Sequence, residues 1–173
     1  MRRLTAGGAL PAGFPAVLQP DERVLAAAAL AGGGHLVLTQ TGVWVPEGTV
    51  PRRVGWHLVS KAVWDRTALL LTEAVTTGSA GEAMLISDLP ARRFVLTAPG
   101  PVPELVRQRV TGSIKSSQYH ELPGGGAWFV QRKVPGQDGL VLQVRADPGT
   151  SADAVHDMAS AVAARLPPAA PSD

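Results

Sequence analysis

Residues 50–74 constrain the fold of this chain more than any other part of the sequence. Three apolar runs, two tryptophans and the pair Arg52-Arg53 alternate there with turn signals, and no helix fits between the turns. Short apolar runs bounded by turns are typical of consecutive antiparallel strands. The stretch therefore predicts a β-rich architecture, but it contains no reactive group that would indicate a chemistry.

Similar apolar runs precede and follow this stretch. The predicted strands cover residues 23–31, 35–40, 43–45, 50–58, 61–64, 68–74, 83–87 and 92–97. Turn signals at intervals of about 8 to 12 residues are typical of small sandwiches and barrels. Within residues 50–58, the alternation predicts that Val54, Trp56 and Leu58 share one face of a strand and point into the core.

The periodicity changes after residue 100. Apolar residues in the segment 102–114 recur at helical spacing and predict an amphipathic helix. A strand at 127–134, a turn at 135–139 and a strand at 140–146 follow. A last helix is predicted at 151–166, with Ser151 or Asp153 as its N-cap.

These elements divide the chain into four parts. The Gly- and Pro-rich residues 1–19 predict a flexible N-terminal segment, and residues 20–117 predict one domain. Residues 118–166 are predicted to form a β-hairpin and helix extension, and residues 167–173 are expected to be a disordered tail.

Composition excludes several classes of protein. Hydrophobic residues make up 45% of the chain and charged residues 17%, which is typical of a globular protein. The sequence has no cysteine, so thiol catalysis and disulfides are excluded, and a cytoplasmic location is expected. The net charge of +2 is too small to predict nucleic-acid binding by itself. No apolar run reaches the ~20 residues that a membrane helix needs.

No motif in the sequence indicates catalysis or a cofactor. His35, His57, His120 and His156 show no spacing that would hold a metal. The glycines at 124–126 precede an apolar run that predicts a strand, whereas a phosphate-binding loop precedes a helix. We therefore expect a protein that is not an enzyme and that has no cofactor and no metal site.

Three short motifs carry a resemblance. They are DERVL at residues 21–25, LVLT at 36–39 and RVGW at 53–56. In this order they resemble bacterial pleckstrin-homology-like (PH-like) domains, over roughly residues 20–117. The heavy use of Ala, Gly, Pro and Arg is also typical of a GC-rich genome, such as an actinobacterial one.

The resemblance implies an α+β fold. It would be a PH-like antiparallel β-sandwich or barrel of about seven strands, closed by an amphipathic helix and followed here by a β-hairpin and a C-terminal helix. The family includes lipid-binding, peptide-binding and scaffolding members, so the fold does not choose among these functions.

Basic and aromatic residues late in the chain are the candidate binding residues. Segment 89–133 contains seven basic and two acidic residues, a net charge of +5. The candidates are Arg92, Arg93, Arg107, Arg109, Trp128, Arg132 and Lys133. Trp128 precedes Phe129 on a predicted strand, so one of the two rings must face away from the core.

The function predicted from these residues is a non-catalytic interaction module. It would bind a protein partner through its sheet edge or through the basic and aromatic C-terminal hairpin. The alternative is binding of anionic lipid headgroups or nucleic acid through segment 89–133. A homodimer through an uncovered strand also remains open.

Overall fold

The computed structural model describes residues 8–166, which form an α+β fold of two sheets and two α-helices. The strands are β1 (Val24–Ala29), β2 (His35–Thr39), β3 (Gly42–Val45), β4 (Arg52–Gly55), β5 (Val59–Trp64), β6 (Ala68–Ala80), β7 (Ala83–Asp88), β8 (Arg92–Val95), β9 (Ile114–Leu122), β10 (Gly125–Lys133) and β11 (Leu140–Ala146). Helix α1 (Val102–Ser113) follows β8, and α2 (Ala152–Arg165) follows β11. The predicted tail at 167–173 and the first seven residues of the predicted N-terminal segment lie outside the described residues.

The first sheet is a four-stranded antiparallel meander in the order β1-β2-β3-β4. The turn between β1 and β2 contains Gly33 and Gly34, whose positive φ angles of 95° and 77° are accessible to glycine without strain. Gly42 begins β3, and a Cβ atom there would lie 2.3 Å from the Val54 carbonyl oxygen. Only glycine therefore allows β3 and β4 to approach this closely.

The second sheet has seven strands and is mixed. Its order is β5-β6-β7-β11-β10-β9, and β8 pairs with the first half of β6. The long strand β6 joins its two parts, because its first half pairs with β5 and β8 and its second half with β7. A register shift between Thr76 and Gly78 accompanies the change of partner, and the sheet curls into a half-barrel.

The predicted strand at 50–58 is interrupted in the structure, and this part of the prediction was wrong. Strand β4 ends at Gly55, and Trp56–Leu58 forms a short 3-10 helix before β5 begins. The turn lets Trp56, which is 1% exposed, place its indole Nε1 2.9 Å from the Thr39 carbonyl oxygen, to which it donates a hydrogen bond. A buried indole N–H needs such a partner.

A first hydrophobic core lies between the four-stranded sheet, the β5–β6–β8 region and α1. Helix α1 contributes Val102, Val106 and Val110, as its sequence periodicity predicts. Large side chains fill this core, among them Trp56, Leu36, Leu38 and Leu69. All its buried members lie between residues 26 and 110.

A second core lies between α2 and the part of the curled sheet formed by the end of β6 with β7, β11, β10 and β9. It is built from smaller side chains, including Ala80, Ala83, Ala127 and Ala159, together with Phe129. Ser151 caps α2, since its hydroxyl accepts a hydrogen bond from the Ala154 amide. The C-terminal extension therefore packs around a second core, which it shares with the end of β6 and with β7.

Strand β9 was not predicted. Its sequence, IKSSQYHEL, has few apolar residues, because β9 lies at the edge of the sheet with most of its side chains exposed. The predicted domain boundary between residues 117 and 118 falls inside this strand. The extension also joins the earlier strands directly, because β11 pairs in parallel with β7.

Within residues 8–166, no helix combines the length and the apolar character that crossing a membrane requires.

Candidate binding surface

Three of the predicted basic residues form ion pairs. Arg92 lies 3.8 Å from Glu47, donates a hydrogen bond to the Pro46 carbonyl and lies over the ring of Phe94. Arg93 pairs with Asp65, and Arg107 with Glu104 one turn earlier on α1. These three arginines are therefore dispersed. Glu47 and Asp65 lie outside segment 89–133 and offset two of its five net positive charges, since Glu104 is already counted in the +5.

Arg132, another of the predicted binding residues, lies inside the fold rather than on its surface. It is 3% exposed. Its Nε and Nη2 donate to the Ser113 hydroxyl, Nη1 donates to the Val59 carbonyl, and Nη2 also donates to the Trp56 carbonyl at 2.9 Å. We call these four residues the Arg132 cluster. The guanidinium connects the end of α1, the 3-10 helix and β10 inside the protein.

The charge of Arg132 is stabilised only by neutral groups. Among residues 8–166, no Asp or Glu forms an ion pair with it. Burial, and then the nearby charge of Arg145, lower the pKa of Arg132 to about 10. The side chain remains a cation at neutral pH.

A second buried polar group, the Glu22 cluster, lies at the edge of the four-stranded sheet. The Glu22 carboxylate accepts hydrogen bonds from the hydroxyls of Thr39 and Thr41, the indole of Trp44 and, at 3.0 Å, the guanidinium of Arg53. Burial raises the pKa of Glu22, but the hydrogen bonds outweigh it, that from Thr39 most, and lower the pKa to about 2. The Glu22 carboxylate is therefore occupied by hydrogen bonds from within the fold.

The N-terminal segment also contacts the Glu22 cluster. The backbone amide of Gln19 donates to Glu22, and the ring of Phe14 meets that of Trp44 edge-on, with centroids 6.2 Å apart. Residues 8–19 have no helix or strand, yet these two contacts hold the segment against the first sheet.

Arg109 and Lys133 face one cleft. They come from α1 and from the end of β10, and within residues 8–166 neither forms an ion pair. The cleft has a volume of about 540 Å³. Its lining residues are Gln40, Trp56, Gln108, Arg109, Gly112, Ser113, Lys133, Pro135 and Gly136. Two cations and no carboxylate line it, so it favours an anion.

Trp128 lies on the face of the curled sheet opposite α2. It is 40% exposed, whereas Phe129 is 3% exposed and packs in the second core, as alternation on a strand requires. Trp128 is flanked in register by Tyr119 on β9 and Arg145 on β11. We call this row of Tyr119, Trp128 and Arg145 the open face.

The two aromatic rings of the open face pack on each other. Their centroids are 5.2 Å apart, and Tyr119 is 42% exposed. The Tyr119 hydroxyl donates to the Asp147 carboxylate, which raises the pKa of Tyr119. Trp128 was predicted from the sequence. Tyr119 was missed because the strand that carries it was not predicted, and Arg145 was missed although it lies on a predicted strand.

The open face adjoins an edge of the sheet. Strand β9 pairs with β10 on one side and has no partner strand within residues 8–166 on the other. Nine residues at ~3.3 Å each give an edge of roughly 30 Å. An edge of this kind presents backbone N–H and C=O groups to a further strand.

No cluster of metal-ligating side chains occurs in the part of the chain that the structure describes. His57 is half-buried, and its buried Nδ1 has no hydrogen-bond partner there. Burial lowers the pKa of this imidazole, and so does the charge of Arg132. His120 packs edge-on against Phe129. These histidines are spread over different elements.

Comparisons with known proteins add no assignment, since no protein-family model, curated protein or solved structure matches this chain.

Proposed function

We propose that this protein is a non-catalytic interaction module with a PH-like N-terminal domain. An antiparallel meander, a second antiparallel group of strands and a helix packed over the core they share support the PH-like interpretation. The cysteine-free sequence suits a reducing compartment, so we place its action in the cytoplasm. The fold alone does not define the partner. The open face and the β9 edge are the features of the structure that point to one.

The observation that carries the proposal is an exposed tyrosine–tryptophan pair beside an unpaired edge strand. Tyr and Trp are enriched among residues that dominate binding energy at protein interfaces. Edge strands bind extended segments through backbone hydrogen bonds, while neighbouring side chains supply specificity. The partner is therefore an extended segment of another protein that pairs with β9 and contacts Tyr119 and Trp128.

The test compares the open face with equally exposed apolar residues elsewhere. Wild-type protein and the variants Tyr119→Ala and Trp128→Ala are immobilised and exposed to an extract of the source cell. Val63→Ala and Leu89→Ala are the matched controls, because these residues are 42% and 41% exposed and lie outside the open face. We expect each open-face variant to reduce partner recovery about tenfold or more, and the controls to change it little.

Hydrogen exchange then locates the contact. Partner binding should slow the exchange of amides within 114–122 and leave β5 unchanged. Equal partner recovery by Trp128→Ala and Leu89→Ala would exclude the open face as the binding site. Concentration-dependent dimerisation that protects the same amides would identify the partner as a second copy of this chain.

The Arg109–Lys133 cleft favours a second function, the binding of an anionic lipid headgroup or nucleic acid. Such binding weakens steeply with salt, because counterions are released on association. Lys133→Glu should abolish binding of the protein to anionic vesicles or to a nucleic acid, whereas Trp128→Ala should not. The absence of wild-type binding at low ionic strength would exclude this alternative.

A further inference from the structure

A small pocket lies on the same side of the sheet as the open face, and it contains the buried arginine. Its volume is about 90 Å³. With ~30 Å³ for each water in the liquid, it has room for roughly three water-sized groups. Its lining residues are Ser60, Ile86, Ile114, Ser117, Val130, Arg132, Gln143 and Arg145. We call it the Arg132 pocket.

The register connects the pocket to the open face. Val130 lies two residues after Trp128 on β10 and pairs with Ser117 on β9 and Gln143 on β11. This row is therefore ~7 Å from the row of Tyr119, Trp128 and Arg145. Two pocket residues, Ile114 and Ser117, belong to the edge strand, so the pocket extends to the edge where the proposed partner pairs.

The hydrogen bonds of Arg132 leave one donor for a ligand. A guanidinium has five N–H donors. Nε uses its single hydrogen on Ser113, and Nη2 uses two on Trp56 and Ser113, but Nη1 donates only to Val59 among residues 8–166. One N–H of Nη1 therefore remains for another acceptor.

The charged groups around the pocket are also unbalanced, with one more cation than anions. Arg145 lies 3.0 Å from Asp88, whose carboxylate additionally accepts a hydrogen bond from Ser60. Arg132 has no carboxylate partner within the described residues. Two cations and one carboxylate leave a net charge of +1 in a partly desolvated region, where the interaction with a further anion is strong.

We propose that the Arg132 pocket binds a carboxylate of the segment that docks on the β9 edge, with Arg132 and Arg145 as its cationic partners. This inference rests on the proposed function. A carboxylate fits the volume, makes the local charge zero and supplies the acceptor for Nη1. It comes either from an Asp or Glu side chain or from the C-terminus of the segment, and in both cases the pocket selects acidic partners.

The test uses small carboxylates and needs no partner. N-acetyl-glutamate N-methylamide presents the side-chain carboxylate, and N-acetyl-alanine presents the terminal one. N-acetyl-glutamine N-methylamide is the neutral control. The readout is the NMR signal of the Arg132 Nε–H group in the full chain, with the thermal unfolding midpoint as a second measurement. We expect a saturable shift of that signal with at least one carboxylate and none with the neutral amide.

Two variants locate the binding. Arg145→Gln removes the second cation and should weaken carboxylate binding about tenfold or more. Arg93→Gln removes an exposed ion-paired arginine outside the pocket and should leave the affinity unchanged. The carboxylate that binds more tightly identifies its source in the partner.

The proposal is overturned if neither carboxylate shifts the Arg132 signal and neither raises the unfolding midpoint. It is also overturned if Arg145→Gln and Arg93→Gln weaken binding equally. Because the titration contains no partner, its failure leaves the β9 proposal intact. Carboxylate binding without any captured partner would instead contradict only the proposed edge interaction.

Discussion

Glu22 and Arg132 are buried side chains of opposite charge, but their surroundings differ in one respect. The Glu22 carboxylate is paired with a cation, Arg53, and with three side-chain donors. The Arg132 guanidinium is paired only with a hydroxyl and backbone carbonyls. Burial of a charge is costly unless it is paired and hydrogen-bonded.

The Glu22 carboxylate therefore has all its partners within the fold, whereas the Arg132 guanidinium can accept a ligand. The Glu22 cluster uses its charge to join β2, the β2–β3 turn, β3, β4 and the N-terminal segment. The Arg132 cluster joins α1 to the curled sheet, but it retains a positive charge and an N–H beside a pocket. Both groups should contribute to stability, whereas only the second should respond to an added anion.

The largest expected effect is that of Arg132→Met, a substitution that keeps an apolar stem but removes the guanidinium. The Val59 carbonyl would then lose its bond from Nη1, and the Trp56 carbonyl would keep only the bond from the Val59 amide, at roughly 1–3 kcal/mol for each lost hydrogen bond. We expect the free energy of unfolding in urea to fall by about 4 kcal/mol. Arg109→Met is the matched control, because Arg109 is exposed and should change stability by less than ~0.5 kcal/mol. A small effect of Arg132→Met would contradict the structural role of this cluster.

The next effect is pH-dependent and concerns Glu22. Its pKa is about 2 in the folded protein, below its ordinary value of 4.5. As the pH falls, the unfolded chain therefore binds the proton first. The stabilisation is complete above pH 4.5 and is lost as the pH falls toward 2. We expect a loss of about 3 kcal/mol over this window.

Urea unfolding between pH 6 and pH 2.5 measures this loss. In Glu22→Gln most of it should disappear, because the amide does not titrate there. Part of the pH dependence should remain, since the backbone amide of Ala68 and the side chain of Arg93 lower the pKa of Asp65 to about 2 as well. A Glu22→Gln variant with the full wild-type pH dependence would show that this carboxylate is not the group responsible.

The sequence alone predicts the elements whose side chains alternate between core and solvent. Val102, Val106 and Val110 recur at helical spacing because one face of α1 is buried. The alternation of Trp128 and Phe129 likewise predicts that one ring is exposed. Strand β9 has no such signal, because it is an edge strand whose pairing depends on β10 rather than on its own apolar residues.

The role of Arg132 could not be predicted for a different reason. Adjacent basic residues on a strand are expected to be solvated, and Lys133 is exposed as expected. Arg132 is buried because the 3-10 helix and the start of β5 present carbonyls to it, and both elements are distant from it in sequence. Contacts across 73 or more residues depend on the tertiary fold and leave no local pattern.

The smallest expected effects are those of replacing Arg53, which pairs with Glu22, and Arg145, which lies near Arg132. Arg53 pairs with a carboxylate whose side chain is 1% exposed, whereas Arg145 pairs with one that is 35% exposed. Arg53→Gln should therefore cost about 1.5 kcal/mol, and Arg145→Gln less than ~0.5 kcal/mol, because solvent screens the second pair. Urea unfolding of both variants, alone and with Glu22→Gln, measures the difference.

The double variants show whether Arg53 stabilises the protein through Glu22. In the Glu22→Gln background, Arg53→Gln should cost ~1 kcal/mol less than in the wild type, whereas the cost of Arg145→Gln should not change. Equal costs of Arg53→Gln in both backgrounds would mean that Arg53 does not stabilise the buried carboxylate. The small cost of Arg145→Gln is also what lets this variant test carboxylate binding, because the pocket loses a cation while the fold remains intact.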